Sequence, residues 1–226
     1  MKQLAFDFPV TTAPQFDNFV VGRNAELVQH LRELAHSHDV ERSLYLWGAC
    51  GSGRTHLLRA SVAAFEAAGA RAAYIACTPE SELTDALHDL DLVALDDVQP
   101  LGEAAQVSLF SLYNALRASG AALIASGDMA PTRLPLRPDV STRLAWGLVY
   151  EVHGLTDLDK AQALAEYTAA RGFTLQADVS KYLLTHARRD MPALLALLDA
   201  LDRYSLECKR PVSVPLLREL LAAGQR

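Results

Sequence analysis

A glycine-rich segment has the residue types and spacing that bind phosphate groups: Gly48-Ala49-Cys50-Gly51-Ser52-Gly53-Arg54-Thr55. Glycines let backbone N–H groups point inward around a phosphate, and the positive end of a following helix adds to the attraction. We expect the glycines and Ser52 to bind nucleotide phosphates and Thr55 to ligate Mg²⁺. Arg54 stands where such a P-loop usually has lysine; its guanidinium is cationic but bulkier and planar. The alternative is a simple glycine turn, which the predicted strand before it and helix after it disfavour.

A pair of acids at the end of an apolar run is the second candidate site. Residues 92–95 are apolar and are followed by Asp96 and Asp97. A hydrophobic strand that ends in acids has the Walker B arrangement, in which Asp96 would hold the Mg²⁺ shell and Asp97 would polarise a water molecule. Strand-Asp-Asp turns are common by themselves, so the interpretation depends on the phosphate-binding loop earlier in the chain.

Two further polar positions are candidates for catalysis. Asp128 follows Ser126-Gly127 after an apolar stretch, where it can reach a γ-phosphate or an attacking water, or simply begin a loop. Arg143 lies in the otherwise apolar segment 141–147. Either its side chain packs over the core with the guanidinium in water, or it acts as an arginine finger toward a neighbouring subunit's nucleotide.

Alternating strands and helices must position these residues. Apolar runs predict strands at 43–47, 72–77, 92–95, 121–126 and 148–152, and helical spacing predicts helices at 54–68, 79–87 and 104–116, with Asn24 capping an earlier one. Gly69 and Gly120 are the predicted helix stops. Strands that alternate with helices indicate a parallel sheet covered on both faces. Four helical stretches then follow, at 156–171, 177–187, 192–207 and 214–222.

The predicted fold class is therefore α/β: a domain with a parallel five-stranded sheet, followed by a small all-α domain. We expect a tail at 1–15, a nucleotide-binding α/β domain at 16–153 and a helical domain at 154–226.

Composition excludes several function classes. Of 226 residues, 50% are hydrophobic, enough for a sizeable core, and the net charge of −6 argues against non-specific DNA binding. Three separated cysteines argue against a disulfide scaffold or zinc ribbon and fit a reducing compartment. Apolar runs fall short of the ~20 residues of a membrane helix, and the N-terminus lacks a secretory signal. We expect a soluble, cytoplasmic protein without a membrane partner.

Together these motifs resemble those of the DnaA-type AAA+ ATPases, and most closely the regulatory inactivators of DnaA, over nearly the whole chain. The closing helices resemble the AAA+ lid, and segment 141–147 matches box VII, which implies that Arg143 is the finger. Segment 16–24 looks like the part of the family that lines the adenine pocket, and segment 46–58 is similar to its P-loop, where arginine in place of lysine is familiar. The resemblance implies nucleotide contacts by Val20, Val21, Gly22, Asn24 and His56.

The N-terminal tail resembles the peptide by which such inactivators bind the β sliding clamp. Gln3 and Leu4 are followed by apolar residues at the fourth and sixth positions of the motif, Phe6 and Phe8. Such peptides fill a hydrophobic groove, and burying each phenylalanine contributes ~1.5–3 kcal/mol before the cost of ordering. The alternative is a tail that packs on its own domain.

The chain departs from the family pattern in two places. The sensor 2 arginine of the family lies at the start of a lid helix, where this chain has Pro192, with Arg188 and Arg189 as the nearby substitutes. Together with Arg54, this implies weak intrinsic ATP hydrolysis. We also expect no counterpart of the DNA-binding helix-turn-helix domain of DnaA, and therefore only indirect contact with DNA.

The resemblance implies regulatory inactivation of the replication initiator DnaA. A protein that holds ADP or ATP with Mg²⁺ would dock on the DNA-loaded clamp and direct Arg143 at ATP bound by DnaA, preventing re-initiation. A homo-oligomer is compatible with this hypothesis. Two alternatives stay open: an autonomous P-loop ATPase, such as a helicase loader related to DnaA, and a binding adaptor with a degenerate nucleotide site.

Overall fold

The structure, a computed structural model, describes residues 13–187 and 190–223. The chain divides between Gly154 and Leu155 into two compact units. In the described residues, the first unit contains a five-stranded sheet and the second contains helices alone. This confirms the predicted fold class.

Strands and helices alternate in the first unit. The strands are β1 (Ser43–Trp47), β2 (Ala72–Ala76), β3 (Leu92–Asp96), β4 (Ala122–Gly127) and β5 (Leu148–Glu151). The helices are α1 (Ala25–Leu34), α2 (Arg54–Ala67), α3 (Glu103–Ser119) and α4 (Pro138–Leu144), with 3₁₀ turns at Phe16–Asn18, Asp85–Asp89 and Pro131–Arg133. All strand pairs are parallel, in the order β2-β3-β4-β1-β5. Because parallel strands end at the same edge of a sheet, the segments that follow β1, β3 and β4 meet there.

Each face of the sheet buries its own core. Leu44 and Leu46 of β1 pack in one cluster with residues of α1 and α2, whereas Tyr45 between them packs in a second cluster with residues of α3 and α4. Successive side chains of a strand point to opposite faces, so a sheet with helices on both sides needs an apolar residue at nearly every position. β3 meets this condition, since every residue from Leu92 to Asp96 is buried.

Two details of the first unit differ from the sequence-based predictions. The helix predicted at 79–87 is wrong: a turn lies at 78–81, and a 3₁₀ turn follows at Asp85–Asp89. The Thr78 backbone N–H donates to Ser81 Oγ at 2.8 Å, and such side-chain bonds compete with helix formation. α4 was not predicted. The helix stops are confirmed, since α2 and α3 end just before Gly69 and Gly120.

Four helices form the second unit: α5 (Asp157–Ala170), α6 (Ala177–His186), α7 (Met191–Cys208) and α8 (Val214–Ala223). Their shared core consists of leucine and valine side chains from all four helices. Thr156 and Asp159 form a capping box at the start of α5, where the Asp159 N–H donates to Thr156 Oγ1 at 3.1 Å. Pro192 lies in the first turn of α7, a position where the missing N–H of proline is tolerated. Arg188 and Arg189, the sensor 2 substitutes, lie outside the described residues.

None of the helices in residues 13–187 and 190–223 combines the length and apolar character needed to span a bilayer.

Candidate functional site

The glycine-rich loop connects β1 to α2 at the carboxyl edge of the sheet. Gly53 directly precedes α2 with a φ of 106°, a conformation that side-chain-bearing residues avoid. A Cβ on Gly53 would also lie 2.7 Å from Phe19 Cε2. At the start of the loop, a Cβ on Gly48 would lie 2.5 Å from the carbonyl oxygen of Val152. The loop therefore needs glycine at both ends. At Gly53 both the positive φ and the nearby Phe19 ring disfavour a side chain, whereas at Gly48 only the nearby carbonyl oxygen does.

Ser52 leaves a polar atom of the loop unsatisfied. Its backbone N–H donates to the Ala49 carbonyl oxygen at 3.1 Å, while Ser52 Oγ is buried and has no hydrogen-bond partner among the described residues. Buried hydroxyl groups in folded proteins nearly always have a partner. A phosphate oxygen would supply one, so the loop fits the ligand that its sequence predicts.

Asp96 is the centre of a hydrogen-bond network that joins four elements. Its Oδ2 accepts hydrogen bonds from Thr55 Oγ1 at 2.6 Å and from Tyr74 Oη at 2.7 Å, and its Oδ1 accepts one from Ser126 Oγ at 2.6 Å. Asp96 is only 5% exposed, so three hydroxyl donors compensate a carboxylate that has little water around it. Burial, and secondarily the bond to Asp96, raises the pKa of Tyr74 to about 12.

Thr55 and Asp96 form a hard oxygen pair that suits Mg²⁺. Mg²⁺ sites in nucleotide enzymes typically use one or two protein oxygens, with water and phosphate filling the other positions. Within residues 13–187 and 190–223, no group of three or more His, Cys, Asp or Glu side chains could form an all-protein metal site. The donor set therefore fits a cation that is bound together with a nucleotide.

Asp97 is held in an unusual conformation and paired with Arg54. It has a φ of 55°, and its N–H donates to Ser126 Oγ at 2.9 Å. Arg54 Nη2 lies 3.0 Å from Asp97 Oδ1, and Arg54 Nη1 donates to the carbonyl oxygen of Gly127. Asp97 Oδ1 has no hydrogen bond of good angle, so the contact with Arg54 is a charge pair without directional bonding. The Arg54 side chain, 10% exposed, thus spans the ends of β3 and β4.

Asp128 lies beyond this network. It is exposed just after β4 and takes part in none of the hydrogen bonds or ion pairs around Asp96 and Asp97 in the part of the chain that the structure describes. Tyr45 is fully buried, and its hydroxyl donates a hydrogen bond to the Met129 carbonyl oxygen at 3.0 Å. Burial raises the pKa of Tyr45. Ser126 is the member of the Ser126-Gly127-Asp128 motif that joins the acids together.

The segment before α1 is tied to the end of β5 by Asn24. Asn24 Nδ2 donates to the carbonyl oxygens of Val21 and His153 at 3.1 and 2.9 Å, and Asn24 Oδ1 accepts from the His153 N–H at 2.8 Å. Asn24 is 3% exposed and precedes α1, but its side chain does not cap that helix, contrary to the prediction. Both amide hydrogens are committed to backbone oxygens, so Asn24 positions the segment that contains Val20, Val21 and Gly22.

Phe19 and His56 bring the same segment against the glycine-rich loop. Their rings are 5.3 Å apart, His56 Nε2 donates to the Gln15 carbonyl oxygen at 2.9 Å, and Phe19 lies next to Gly53. The expected adenine-pocket segment and the glycine-rich loop are therefore neighbours. Sequence reasoning did not single out Phe19 or Tyr74, because each acts through a contact with a distant part of the chain.

Arg143 lies at the end of α4, outside the network around Asp96. Its guanidinium carbon is 3.8 Å from the Trp146 ring centroid and 5.0 Å from that of Phe110. Arg143 Nε is buried without a hydrogen-bond partner, and among the described residues the side chain forms no ion pair. Arg143 is half-buried. Its guanidinium contacts two aromatic rings and forms no hydrogen bond to the described residues. The clamp-binding candidates Gln3, Leu4, Phe6 and Phe8 lie outside the described residues.

Comparisons with known proteins agree with this architecture. A family model described as the bacterial DnaA ATPase domain matches residues 11–151, and one described as the Hda lid domain matches residues 157–221. A structure of AMPPCP-bound DnaA from Aquifex aeolicus is similar with a TM-score of 0.72 and 22% identity, over 86% of this chain and 66% of that one. Domain III of DnaA from Thermotoga maritima matches with a TM-score of 0.71 and 22% identity, over 92% of this chain and 95% of that one.

The same fold occurs in a protein described as a motor. The Holliday junction branch migration motor RuvB from Thermotoga maritima matches with a TM-score of 0.69 and 14% identity, over 94% of this chain and 72% of that one. The chain spans 65% and 66% of the first two similar structures, which are a DNA replication initiation factor and the Aquifex aeolicus DnaA. At these identities the structural likeness demonstrates a shared AAA+ fold.

Proposed function

Because this chain belongs to the family of bacterial DnaA ATPase domains and is close to Hda, we propose that it is a regulatory inactivator of DnaA. It binds adenine nucleotide in its own loop and directs Arg143 at ATP bound by DnaA. The observation that carries this proposal is the contrast between two arginines. Arg54, in the chain's own loop, is paired with Asp97, whereas Arg143 has no acidic partner among the described residues.

The chain's own nucleotide site is proposed to retain ADP. The N–H groups of loop 48–53 and the guanidinium of Arg54 would bind the phosphates, with Mg²⁺ at Thr55 and Asp96 neutralising phosphate charge. The AMPPCP-bound DnaA of similar fold supports adenine nucleotide as the ligand class. Hydrolysis needs a carboxylate that can polarise water, and the Asp97 carboxylate is paired with Arg54. The arrangement therefore favours retention over turnover.

Arg143 is proposed to act in the partner's site. Water attacks the γ-phosphorus of ATP and gives up a proton to the phosphate or to solvent, the bond to the β,γ-bridging oxygen breaks, and negative charge develops on the transferred group and on the leaving ADP. A guanidinium directs several N–H donors at such charge and stabilises the transition state more than the ground state. No acidic residue among those described pairs with Arg143; its Nε is buried, so the terminal N–H groups are the donors proposed to bind a partner's phosphate.

Docking on the β sliding clamp is proposed to bring the two proteins together. This part of the proposal depends on the sequence of Gln3, Leu4, Phe6 and Phe8. A peptide in the clamp's hydrophobic groove would raise the effective concentration of the finger near DnaA on DNA. The protein itself would then need no basic DNA-binding face, in agreement with its net charge of −6.

ATP hydrolysis should be measured for this protein alone, for DnaA alone, and for both with clamp loaded on DNA. We expect stimulation only in the full mixture, lost in Arg143→Ala and in the double variant Gln3→Ala/Phe6→Ala. Arg133→Ala is the matched control, because Arg133 is exposed close to α4. Persistence of DnaA-bound ATP in the full mixture would reject the proposal. Substantial turnover by this protein alone, unchanged by Arg143→Ala, would favour the autonomous ATPase, which the contact between Thr55 and Asp96 permits.

A further inference from the structure

Trp146 is a large apolar side chain at the surface, and it contacts Arg143. It is 54% exposed and follows α4, with its backbone N–H donating to the Arg143 carbonyl oxygen at 3.1 Å. The centroid of its ring is 3.8 Å from the Arg143 guanidinium carbon, the shorter of the two aromatic contacts of that residue. The face of a tryptophan ring attracts a cation more strongly than the faces of the other aromatic side chains.

The Trp146 ring is itself held in place by α3. The Tyr113 ring lies edge-on to it, 6.4 Å between centroids at 74°, and Arg117 lies 5.5 Å from its centroid. Tyr113 is buried, and Arg117 Nη1 donates to its hydroxyl at 3.3 Å. The ring is thus fixed by a helix of the core, which makes it a firm support for a neighbouring side chain.

An aromatic support leaves Arg143 able to bind an anion. A carboxylate partner would bind the N–H groups, which lie in the guanidinium plane, and would occupy the donors that a phosphate needs. A ring at 3.8 Å instead attracts the cation without accepting its N–H groups in regular hydrogen bonds. Stacking therefore restricts the rotamers of a flexible side chain without using its terminal N–H groups, and such preorganisation is favourable for catalysis.

We propose that Trp146 is the positioning residue of Arg143: it holds the guanidinium in the orientation that reaches the partner's ATP, and it does not itself contact that ATP. This inference rests on the proposed function of Arg143. It assigns to Trp146 a role in the rate of hydrolysis, separate from affinity for the partner.

The test compares Trp146→Ala, Trp146→Phe, Arg143→Ala and the double variant in the full mixture with DnaA and DNA-loaded clamp. We expect Trp146→Ala to lower the maximal hydrolysis rate about 5- to 30-fold at an unchanged half-saturating protein concentration. Trp146→Phe should restore most of the rate, because phenylalanine also presents an aromatic face. The double variant should be no slower than Arg143→Ala alone, since a residue that acts through Arg143 has nothing to position without it.

Fluorescence tests the contact in the free protein. The chain has two tryptophans, so in a Trp47→Phe background all tryptophan emission comes from Trp146. We expect Arg143→Ala to change that emission, and circular dichroism to show that the variants remain folded.

Three results would overturn the inference while leaving the proposed function intact, provided that Arg143→Ala is inactive. They are wild-type rates for Trp146→Ala, a change in half-saturation alone, and emission that does not respond to Arg143→Ala. If Arg143→Ala retains full activity, the proposed function fails, and the role of Trp146 fails with it.

Discussion

Thr55 Oγ1 donates a 2.6 Å hydrogen bond to Asp96 Oδ2, and this bond joins the end of the glycine-rich loop to the end of β3. The two residues come from the two motifs that the sequence predicts to share a cation. The same carboxylate accepts hydroxyl groups from Tyr74 and Ser126, so the arrangement is supported from β2 and β4 as well. Asp96 is thus both a candidate ligand and a structural centre, and substitutions there should affect stability as well as binding.

Asp96→Ala should lower the free energy of unfolding by about 1–3 kcal/mol, because three hydroxyl groups lose their acceptor. It should also abolish the rise in melting temperature that Mg²⁺-ADP gives the wild type, since a ligand that binds only the folded state stabilises it. Calorimetry with and without Mg²⁺-ADP measures both effects. Asp128→Ala is the control and should change neither, because Asp128 is exposed outside the network. A normal response of Asp96→Ala to Mg²⁺-ADP would contradict the assignment.

Arg54→Lys should raise the slow ATP hydrolysis of the protein alone, by about tenfold. Lysine can still bind phosphate, but it lacks the planar fork with which Arg54 contacts Asp97 and the Gly127 carbonyl oxygen together. The Asp97 carboxylate would then be free to polarise water. Steady-state phosphate release measures the change, and Arg133→Lys, at an exposed position outside the network around Asp96, should leave the rate unaltered. If Arg54→Lys hydrolyses ATP no faster than the wild type, the pairing does not limit turnover.

Asn24→Ala should destabilise the first unit by about 2–4 kcal/mol, since backbone groups of Val21 and His153 lose the partners that Asn24 provides. Urea denaturation followed by circular dichroism gives the free energy directly. Asn114→Ala, an exposed change of the same type in α3, should stay within ~0.5 kcal/mol of the wild type. Equal stabilities for the two variants would show that the Asn24 contacts contribute little.

Cys77 should remain unreactive in the native protein, unlike the exposed Cys50 and Cys208. Burial, followed by the charges of Asp96 and Asp97, raises the pKa of Cys77 to about 12 from the 9.0 of a free thiol. The raised pKa means that stability present below pH 9 is lost as the pH rises toward 12, because the unfolded chain ionises first. Counting thiols with an aromatic disulfide at pH 8 should give two per native chain and three in denaturant. A third native thiol would refute the burial of Cys77.

The loss of stability at alkaline pH can be tested separately by replacing Cys77. Cys77→Ala removes the group that ionises, so its unfolding free energy should fall less steeply above pH 9 than that of the wild type. Cys50→Ala, which removes an exposed thiol, should follow the wild-type curve. Parallel curves for Cys77→Ala and the wild type would mean that Cys77 does not contribute to the alkaline loss.

The strands and the glycine-rich loop could be predicted because their signals are local. A run such as Leu44-Tyr45-Leu46 between helical segments indicates a buried strand, and Gly48 to Thr55 has a spacing with a specific chemical use. α4 escaped prediction because Pro135 and Pro138 flank a short segment that resembles a loop. In the structure Pro138 lies in the first turn of α4, where proline favours a helix.

The supporting contacts of the site could not be predicted, because each joins residues from separate strands or loops. Nothing near Tyr74 in the sequence indicates that its hydroxyl binds Asp96, or that Phe19 lies against Gly53. Asn24 is a residue whose role was predicted incorrectly for the same reason. Its type and position suggest a helix cap, but its side-chain amide forms hydrogen bonds with the backbone of His153, which is distant in the sequence. The roles of the predicted site residues stay predictions until the variants above are measured.

The sheet order also has a consequence for biosynthesis. β1, which leads into the glycine-rich loop, pairs with β4 and β5, and these strands begin only at Ala122 and Leu148. During translation β1 leaves the ribosome long before either neighbouring strand has been synthesised, and until then its apolar side chains cannot be buried in the sheet. A nascent chain that stops before Ala122 therefore lacks both strands that pair with β1. The glycine-rich loop, although encoded early, can acquire its native setting only late in synthesis.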